Sequence, residues 1–386
     1  MANRMERGRR WGVCHLLAAL VIATAGCPMV SGPIDPADVP DGNQDLTVTS
    51  PLGKTSGEPN DSFDEPVVAV AESDGVIRLQ GTVAAVGDMD VFLIGALSAG
   101  DRVVVEVSTQ NSPLDASIAI YDGLTHIVVN NDDRVDSLDS FIDYTARHDN
   151  HGYYLVVTHS AFAPTGRFAG AYWVDLEITE GSVVPPPVQQ TLLLNFAGGR
   201  VNSPVLGTAN LSPLDARDIS LLYDGQTDEL KDSITTTMEQ NYSRFNVRIV
   251  TSDDPPPTTA FTTIHFGGFS PDTFGIADDV DLFNADRCDD ALIFAESFGP
   301  EVFSHPPSVT ELGVAIGNIA AHEAGHLLGL NHVDDDMDLM DDVSPADAFL
   351  FDQEFRVSPV SSDIMAIGWQ DSPTLLFEAV GPNTAP

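Results

Sequence analysis

The sequence contains very little lysine, since only Lys54 and Lys231 occur among its 386 residues. Lys and Arg together number 17 against 58 Asp and Glu, and the formal net charge at pH 7 is −41. A surface of this charge repels nucleic acids and anionic lipids, so binding to either is disfavoured. The acidity has two explanations that stay open: a solvated exterior, or carboxylates that bind Ca²⁺, a cation that prefers oxygen ligands.

Cysteine is also scarce, because Cys14, Cys27 and Cys288 are the only three in the sequence. Three cysteines provide no disulfide framework, so we expect core packing, assisted by metal ions, to hold the fold together. The hydrophobic content of 43% is sufficient for such cores. The length allows two or three domains, and we predict a monomer.

The N-terminus has the composition of a targeting segment. Four arginines between positions 4 and 10 precede the apolar residues 11–25, a run that is too short to span a membrane. We interpret residues 1–27 as a secretory signal and predict an exported protein. The ending 24–27 also resembles a bacterial lipobox, with Thr24 in place of the usual leucine. Two alternatives stay open: a lipid anchor on Cys27, which would be the one membrane contact, or ordinary secretion.

Composition divides the rest of the chain into four segments. Residues 28–57 are rich in Pro, Gly, Asp and Ser and are predicted to be a flexible linker. Residues 58–180 alternate short β-rich runs with turn signals, which predicts an antiparallel β-sandwich. Residues 181–190 form a Pro-rich linker. Residues 191–380 mix strand and helix patterns and are predicted to be an α/β (α+β) domain.

The sandwich segment resembles the bacterial pre-peptidase C-terminal domain, a family appended to secreted proteases. The resemblance rests on five motifs in order, at 58–62, 87–92, 114–122, 131–133 and 152–157. It implies a β-sandwich whose relatives in some cases bind Ca²⁺ and polymeric substrates. In such a fold a calcium cage could form from Glu58, Asn60, Asp61, Asp88 and Asp90. The alternative is an Asx turn at Asn60 and Asp61.

The C-terminal domain is predicted from one long helical pattern and four apolar runs. Leucine, isoleucine and methionine recur at spacings of three and four over 214–242, which predicts a helix. The apolar runs predict strands over 191–196, 246–250, 262–266 and 291–294.

The stretch HEAGHLLGLNH, residues 322–332, holds three of the ten histidines. Ser308 and Glu311 form a capping-box pattern that predicts the start of a helix running into this stretch. In a helix His322 and His326 lie on one face, because residues four apart are neighbours. Gly329 can adopt the positive φ that ends the helix and returns His332 to the same place.

Three imidazoles and an adjacent carboxylate predict a hydrolytic zinc site. His322, His326 and His332 are predicted zinc ligands, with water in the fourth position. Glu323 is the predicted general acid and base, which takes a proton from the zinc-bound water and gives it to the leaving amine. The helix also contains Gly313, Gly317 and Gly325, each costing about 1 kcal/mol relative to alanine, which indicates close backbone packing.

The stretch resembles the metzincins, zinc endopeptidases with the pattern HExxHxxGxxH followed by a Met-turn. Met340, eight residues after His332, matches the Met-turn of the matrixin branch, and the resemblance implies that it supports the zinc ligands from below. Residues 361–367 are similar to the closing helix of that branch. No tyrosine follows Tyr242 to assist at the Met-turn.

Cys288 is expected to be buried and inert. The aspartates at 334–336, 338, 341 and 342 are expected to be solvated, with calcium binding as the alternative.

The sequence therefore predicts an exported or lipid-anchored zinc endopeptidase whose partner is a protein or peptide substrate. One alternative is a surface adhesion or polymer-binding protein with a vestigial zinc site. Another is a zinc hydrolase that acts on something other than a peptide.

Overall fold

The computed structural model describes residues 54–55, 59–134, 137–203 and 207–384. The predicted signal and lipobox, nearly all of the first linker, and Glu58 lie outside these residues. The described chain consists mainly of β-sheets with few helices. No helix in it is both long enough and apolar enough to cross a membrane.

The described residues between 54 and 179 form two five-stranded sheets, which we call the sandwich segment. Its strands are β1 (Lys54–Thr55), β2 (Val67–Val68), β3 (Ile77–Val83), β4 (Asp90–Leu97), β5 (Arg102–Ser108), β6 (Ala116–Tyr121), β7 (Ile127–Asn131), β8 (Phe141–Thr145), β9 (Asn150–His159) and β10 (Gly170–Thr179). The sheet orders are β1-β3-β10-β5-β8 and β2-β4-β9-β6-β7. The pairs β1·β3 and β2·β4 are parallel, whereas the remaining pairs are antiparallel, so the predicted antiparallel arrangement is wrong at these two edges.

Alternation of side chains along the strands builds the core between the two sheets. In β5, Val103, Val105 and Val107 are buried in this core, while Arg102 and Glu106 are exposed. Successive residues of a strand point to opposite faces, so this pattern gives one buried and one solvated face. The core receives apolar residues from both sheets, and they therefore pack face to face.

Strand β6 departs from this alternation because all six of its residues are buried. Ile118 and Ile120 belong to the core of the sandwich segment. Ala119 and Tyr121, on the opposite face, pack in a second cluster that includes Met365 from the C-terminal part of the chain. A strand buried on both faces requires a nearly continuous apolar run, and in β6 only Ser117 interrupts it.

The described residues from 190 to 384 form the C-terminal segment. Its elements are β11 (Gln190–Asn195), β12 (Gly199–Ser203), β13 (Gly207–Leu211), α1 (Ala216–Ile219), α2 (Thr227–Asn241), β14 (Val247–Thr251), β15 (Thr262–Phe266), β16 (Gly275–Ala277), β17 (Asp290–Ile293), α3 (Val309–His326), β18 (Val357–Pro359), β19 (Trp369–Asp371) and α4 (Ser372–Val380). A mixed sheet has the order β14-β11-β15-β17-β16, with only β16 antiparallel to its neighbour. The predicted strands are present, with ends shifted by at most one residue. The linker boundary at 181–190 stays a prediction, although no helix or strand lies between Thr179 and Gln190.

Two predicted helices differ from the structure. The pattern over 214–242 is divided into α1, a short 3-10 turn and α2, because the chain turns at Gly225 with φ +81°. Residues 361–367 form turns, and the closing helix is α4 at 372–380. The amide of Ser361 donates to the carbonyl of His332 at 3.0 Å, which ties this stretch to the histidine turn.

The sandwich and C-terminal segments make direct contacts with each other. The Tyr121 hydroxyl donates to the carbonyl of Ile367 at 2.8 Å. The Arg147 guanidinium lies 3.8 Å from the centre of the Phe283 ring, in a cation–π contact. The two segments are therefore packed together rather than joined by the linker alone.

Two of the three glycines predicted to permit close packing, Gly313 and Gly317, lie where α3 crosses α2. A Cβ added to Gly313 would overlap Ser233, and one added to Gly317 would lie 2.6 Å from the Cβ of Thr237. Real Cβ atoms do not approach that closely, so only glycine allows this helix spacing. The cost of glycine within a helix is offset by the packing it permits.

We expect Gly317→Ala to lower the free energy of unfolding by about 1–3 kcal/mol, since the added methyl overpacks against Thr237. Urea unfolding of the full chain would measure this change. In a Thr237→Gly background the same substitution should be neutral or stabilising, because the opposing Cβ is gone. Equal destabilisation in both backgrounds would show that contact with Thr237 is not the cause.

Candidate metal centre

The predicted histidines lie at the end of α3 and in the turn that follows it. At the start of the helix the Ser308 amide donates to Glu311 Oε2 at 2.7 Å, and the Glu311 amide donates to Ser308 Oγ at 3.3 Å. Both bonds of the predicted capping box are therefore present. The helix ends at His326, and His322 lies one turn before it on the same face.

Gly329 turns the chain so that His332 returns to the helix. Its φ is +95°, as the sequence predicts. The Leu330 amide donates to the Gly325 carbonyl at 3.0 Å, and the Gly329 amide donates to the His326 carbonyl at 2.8 Å. These two bonds define a Schellman ending, which satisfies carbonyls that the helix would otherwise leave unpaired.

The three imidazoles meet through their Nε2 atoms. His326 Nε2 lies 3.1 Å from His322 Nε2 and 3.0 Å from His332 Nε2. His322 Nδ1 lies 2.7 Å from the Leu339 carbonyl oxygen, and His326 Nδ1 lies 2.7 Å from the Leu330 carbonyl oxygen. A carbonyl can only accept, so both Nδ1 atoms carry hydrogen. The Nε2 atoms of these two neutral rings are therefore bare acceptors.

Burial keeps the three rings neutral. It lowers the pKa of His322 to about 3, that of His326 to about 4, and that of His332 well below its usual value. They are the one group of three His, Cys, Asp or Glu in the described chain whose donor atoms all lie within 4.8 Å of one another. Two bare acceptors 3.1 Å apart repel each other unless a cation lies between them. This donor set fits zinc, which binds neutral imidazole nitrogens.

Glu323 lies beside the histidines and is fully buried. Neither oxygen of its carboxylate has a hydrogen-bond partner of good distance and angle among the described residues. The Ala277 amide is nevertheless close enough to lower the pKa of Glu323. Burial is the larger effect and raises the pKa to about 8. Gly275 of β16 makes room for this side chain, because a Cβ there would lie 2.5 Å from Glu323 Oε1. The role of Gly275 has no signal in the local sequence.

Met340 is fully buried beneath the end of α3. A Cβ added to Gly325 would lie 2.6 Å from Met340 Sδ, so glycine at that position allows the sulfur to contact the helix backbone. The Met340 amide donates to Asp338 Oδ1 at 3.0 Å, and its carbonyl accepts from the Val333 amide at 3.0 Å. These bonds hold Met340 in a turn under the histidines.

Three aspartates near Met340 are buried, so the expectation that they are solvated is wrong for Asp338, Asp341 and Asp342. Burial raises the pKa of Asp342 to about 7, with a further contribution from Asp341. Asp342 Oδ2 lies 3.6 Å from His332 Nδ1. This separation is longer than a hydrogen bond, so Asp342 contacts the ring by proximity. A carboxylate in this place behind a histidine ligand could help to orient the ring. Asp342 is therefore a candidate site residue that the sequence motif does not identify.

The loop between β16 and β17 packs over the histidine turn. The Asp281 amide donates to the His326 carbonyl at 3.0 Å. A Cβ at Gly329 would lie 2.9 Å from the Phe283 nitrogen, so glycine is required there for space as well as for its φ. Burial raises the pKa of Asp281 to about 7 and that of Asp289 to about 9.

Asn331, next to His332, is held from two sides. Its amide donates to Gln370 Oε1 at 2.8 Å, and its carbonyl accepts from Gln370 Nε2 at 2.8 Å. Its side chain donates to Asn130 Oδ1 of the sandwich segment at 3.0 Å. Both segments therefore position the third histidine.

The residues proposed for a calcium cage in the sandwich segment are held by other contacts. Asn60 Nδ2 donates to Asp90 Oδ1 at 2.7 Å, and the Tyr172 hydroxyl donates to Asp90 Oδ2 at 2.5 Å. Asp61 has a raised pKa, mainly through burial and then through Asp88. Glu58 lies outside the described residues, and calcium binding here stays a prediction.

Cys288 is partly buried and is disulfide-bonded. The expectation that Cys288 is buried is therefore wrong. A disulfide-bonded sulfur is not available as a thiolate ligand.

We expect Gln370→Ala to weaken zinc binding about tenfold or more. Gln370 is fully buried and satisfies both backbone groups of Asn331, so its loss frees the loop that carries His332. Competition with a colorimetric zinc chelator would measure the affinity. Gln240→Ala, on the exposed end of α2, is the matched control. Unchanged zinc affinity in Gln370→Ala would contradict this bracing role.

Comparison with known proteins gives only weak similarities. No protein-family model matches the sequence, and no curated protein matches it. One similar structure is PliG from Aeromonas hydrophila, a periplasmic inhibitor of g-type lysozyme, with 12% identity, a TM-score of 0.24, and 30% of this chain and 96% of that chain covered. Another is the pre-peptidase C-terminal domain of a Bacillus anthracis collagenase, with 11% identity and a TM-score of 0.22. That match covers 29% of this chain and 95% of the collagenase domain. A third is archaemetzincin from Methanopyrus kandleri, with 12% identity and a TM-score of 0.27. That match covers 45% of this chain and 92% of archaemetzincin.

Proposed function

We propose that the protein is a zinc-dependent endopeptidase of the metzincin type. The observation that supports this proposal most directly is the convergence of His322, His326 and His332 through Nε2, beside the buried carboxylate of Glu323. Two of the rings have their tautomers fixed by carbonyl oxygens, so their free nitrogens face one point. Three neutral imidazoles and an adjacent carboxylate are the groups that metal-assisted hydrolysis requires.

The histidines would hold the metal, and Asp342 would orient His332 through its Nδ1. When bound, zinc supplies a Lewis acid that acidifies water and polarises the carbonyl of the scissile bond. Met340 and Gly325 set the depth of the site by packing the sulfur against the helix backbone. The fold thus fixes the ligand positions before substrate arrives.

Glu323 would act as the proton carrier. As the oxygen of water bonds to the substrate carbonyl carbon, Glu323 accepts its proton. It then releases this proton to the nitrogen of the leaving amine while the carbon–nitrogen bond breaks. A carboxylate can serve in both steps because it accepts the proton as an anion and carries it as a neutral acid.

The cellular setting is part of the proposal. The signal pattern in residues 1–27 supports export, and the net charge of −41 disfavours binding to nucleic acid. We propose that the exported protein is a monomer and acts on proteins or peptides.

We expect Glu323→Gln to reduce peptide cleavage by about 10²- to 10⁴-fold while zinc remains bound, since glutamine cannot carry the proton. Cleavage of a mixed peptide library, followed by mass spectrometry of the products, measures the loss. Glu239→Gln, an exposed change on α2 with the same chemistry, should cleave like the wild type. A Glu323→Gln variant with wild-type activity would overturn the assigned role.

Metal removal is expected to abolish cleavage, and zinc should restore it. Elemental analysis of the full chain should find one zinc per molecule, and His326→Ala should lower that content, because His326 Nε2 lies between the other two rings. A wild-type chain that holds zinc but cleaves no peptide would favour the polymer-binding alternative. A chain that holds no metal when zinc is supplied would contradict the proposed function.

A further inference from the structure

A cavity of about 560 Å³ lies where the sandwich segment meets the C-terminal segment. His326 and His332 are among its lining residues, so the cavity adjoins the candidate metal centre. This volume is within the range of about 300–1,000 Å³ that is typical of ligand pockets. A peptide bond placed at the histidines would therefore have a neighbouring side chain in this cavity.

One wall of the cavity belongs to the sandwich segment. Asn130, Asp132 and Phe162 line it from that side, and Asp279 and Asp363 line it from the C-terminal segment. The wall is fixed in place, because Asn130 accepts a hydrogen bond from the side chain of Asn331, the residue before His332. The sandwich segment therefore bounds the same space as the histidines.

The charged side chains that line this cavity are acidic. Asp132, Asp279 and Asp363 are carboxylates, whereas none of the described lining residues is lysine or arginine. None of these three aspartates forms an ion pair with a lysine or arginine of the described chain. The Phe162 side chain is 48% exposed and presents an aromatic surface beside them. Unpaired carboxylates and an aromatic ring together favour a cationic side chain.

We propose that this cavity is a substrate subsite that selects peptides with a lysine or arginine next to the scissile bond, and that the sandwich segment supplies one of its walls. The inference rests on the proposed function, since it assumes that the bond to be cleaved lies at the histidines. It assigns the sandwich segment a part in substrate selection.

Binding to the Glu323→Gln full chain tests the subsite without turnover. Pairs of short fluorescein-labelled peptides, identical except for lysine or norleucine at one position, are scanned by fluorescence anisotropy. Norleucine keeps the length of the side chain and removes its charge. At one position the lysine peptide should bind about tenfold more tightly, and the ratio should fall as salt is added.

Asp132→Asn tests the wall that the sandwich segment provides. Asp132 Oδ2 accepts from the Ser160 hydroxyl at 2.9 Å, and asparagine can still accept that bond, so the fold is retained. The substitution should lower the ratio of lysine to norleucine affinity about threefold, and Asp363→Asn should act in the same direction. Asp64→Asn and Asp352→Asn, exposed aspartates outside the cavity, should leave the ratio unchanged.

The outcomes separate the two proposals. Equal affinity for lysine and norleucine peptides, together with cleavage by the wild type, would overturn the subsite and leave the peptidase standing. An equal loss for both peptides in Asp132→Asn would give Asp132 a structural role and overturn its part in selection. Failure of the wild type to bind or cleave any peptide in the scan would contradict both proposals.

Discussion

Mutual repulsion of imidazole nitrogens is the constraint on which the site depends. His322 and His326 present bare Nε2 acceptors 3.1 Å apart, in a buried place where neither ring can take up a proton at neutral pH. Helix α3 packs on α2 and on Met340, and this packing holds the rings in place. The free energy of folding therefore offsets the repulsion between their nitrogen lone pairs. A cation bound between the rings would relieve this repulsion. Metal affinity and fold stability would then be linked.

The site belongs to both segments rather than to the C-terminal segment alone. Asn130 of the sandwich segment holds Asn331, and Gln370 holds the backbone of the same residue from the other side. His332 thus takes its position from contacts far apart in the chain. A shift between the segments would move His332 and would change the shape of the cavity at the same time.

Features with local causes could be predicted from the sequence, whereas features that depend on long-range packing could not. The capping box at Ser308, the pairing of His322 with His326 and the positive φ of Gly329 follow from residues a few positions apart. The places of Gly275 and Asp342 depend on which strand or turn lies opposite them, and no spacing in the chain encodes that. The burial of Asp338, Asp341 and Asp342 near Met340 could not be predicted for the same reason.

The double burial of β6 has a consequence for the chain as a whole. Ile118 and Ile120 face one core, while Ala119 and Tyr121 face residues such as Met365. Detaching either segment would leave an uncovered apolar surface on both, which favours aggregation over independent folding. The two segments should consequently melt as one cooperative unit.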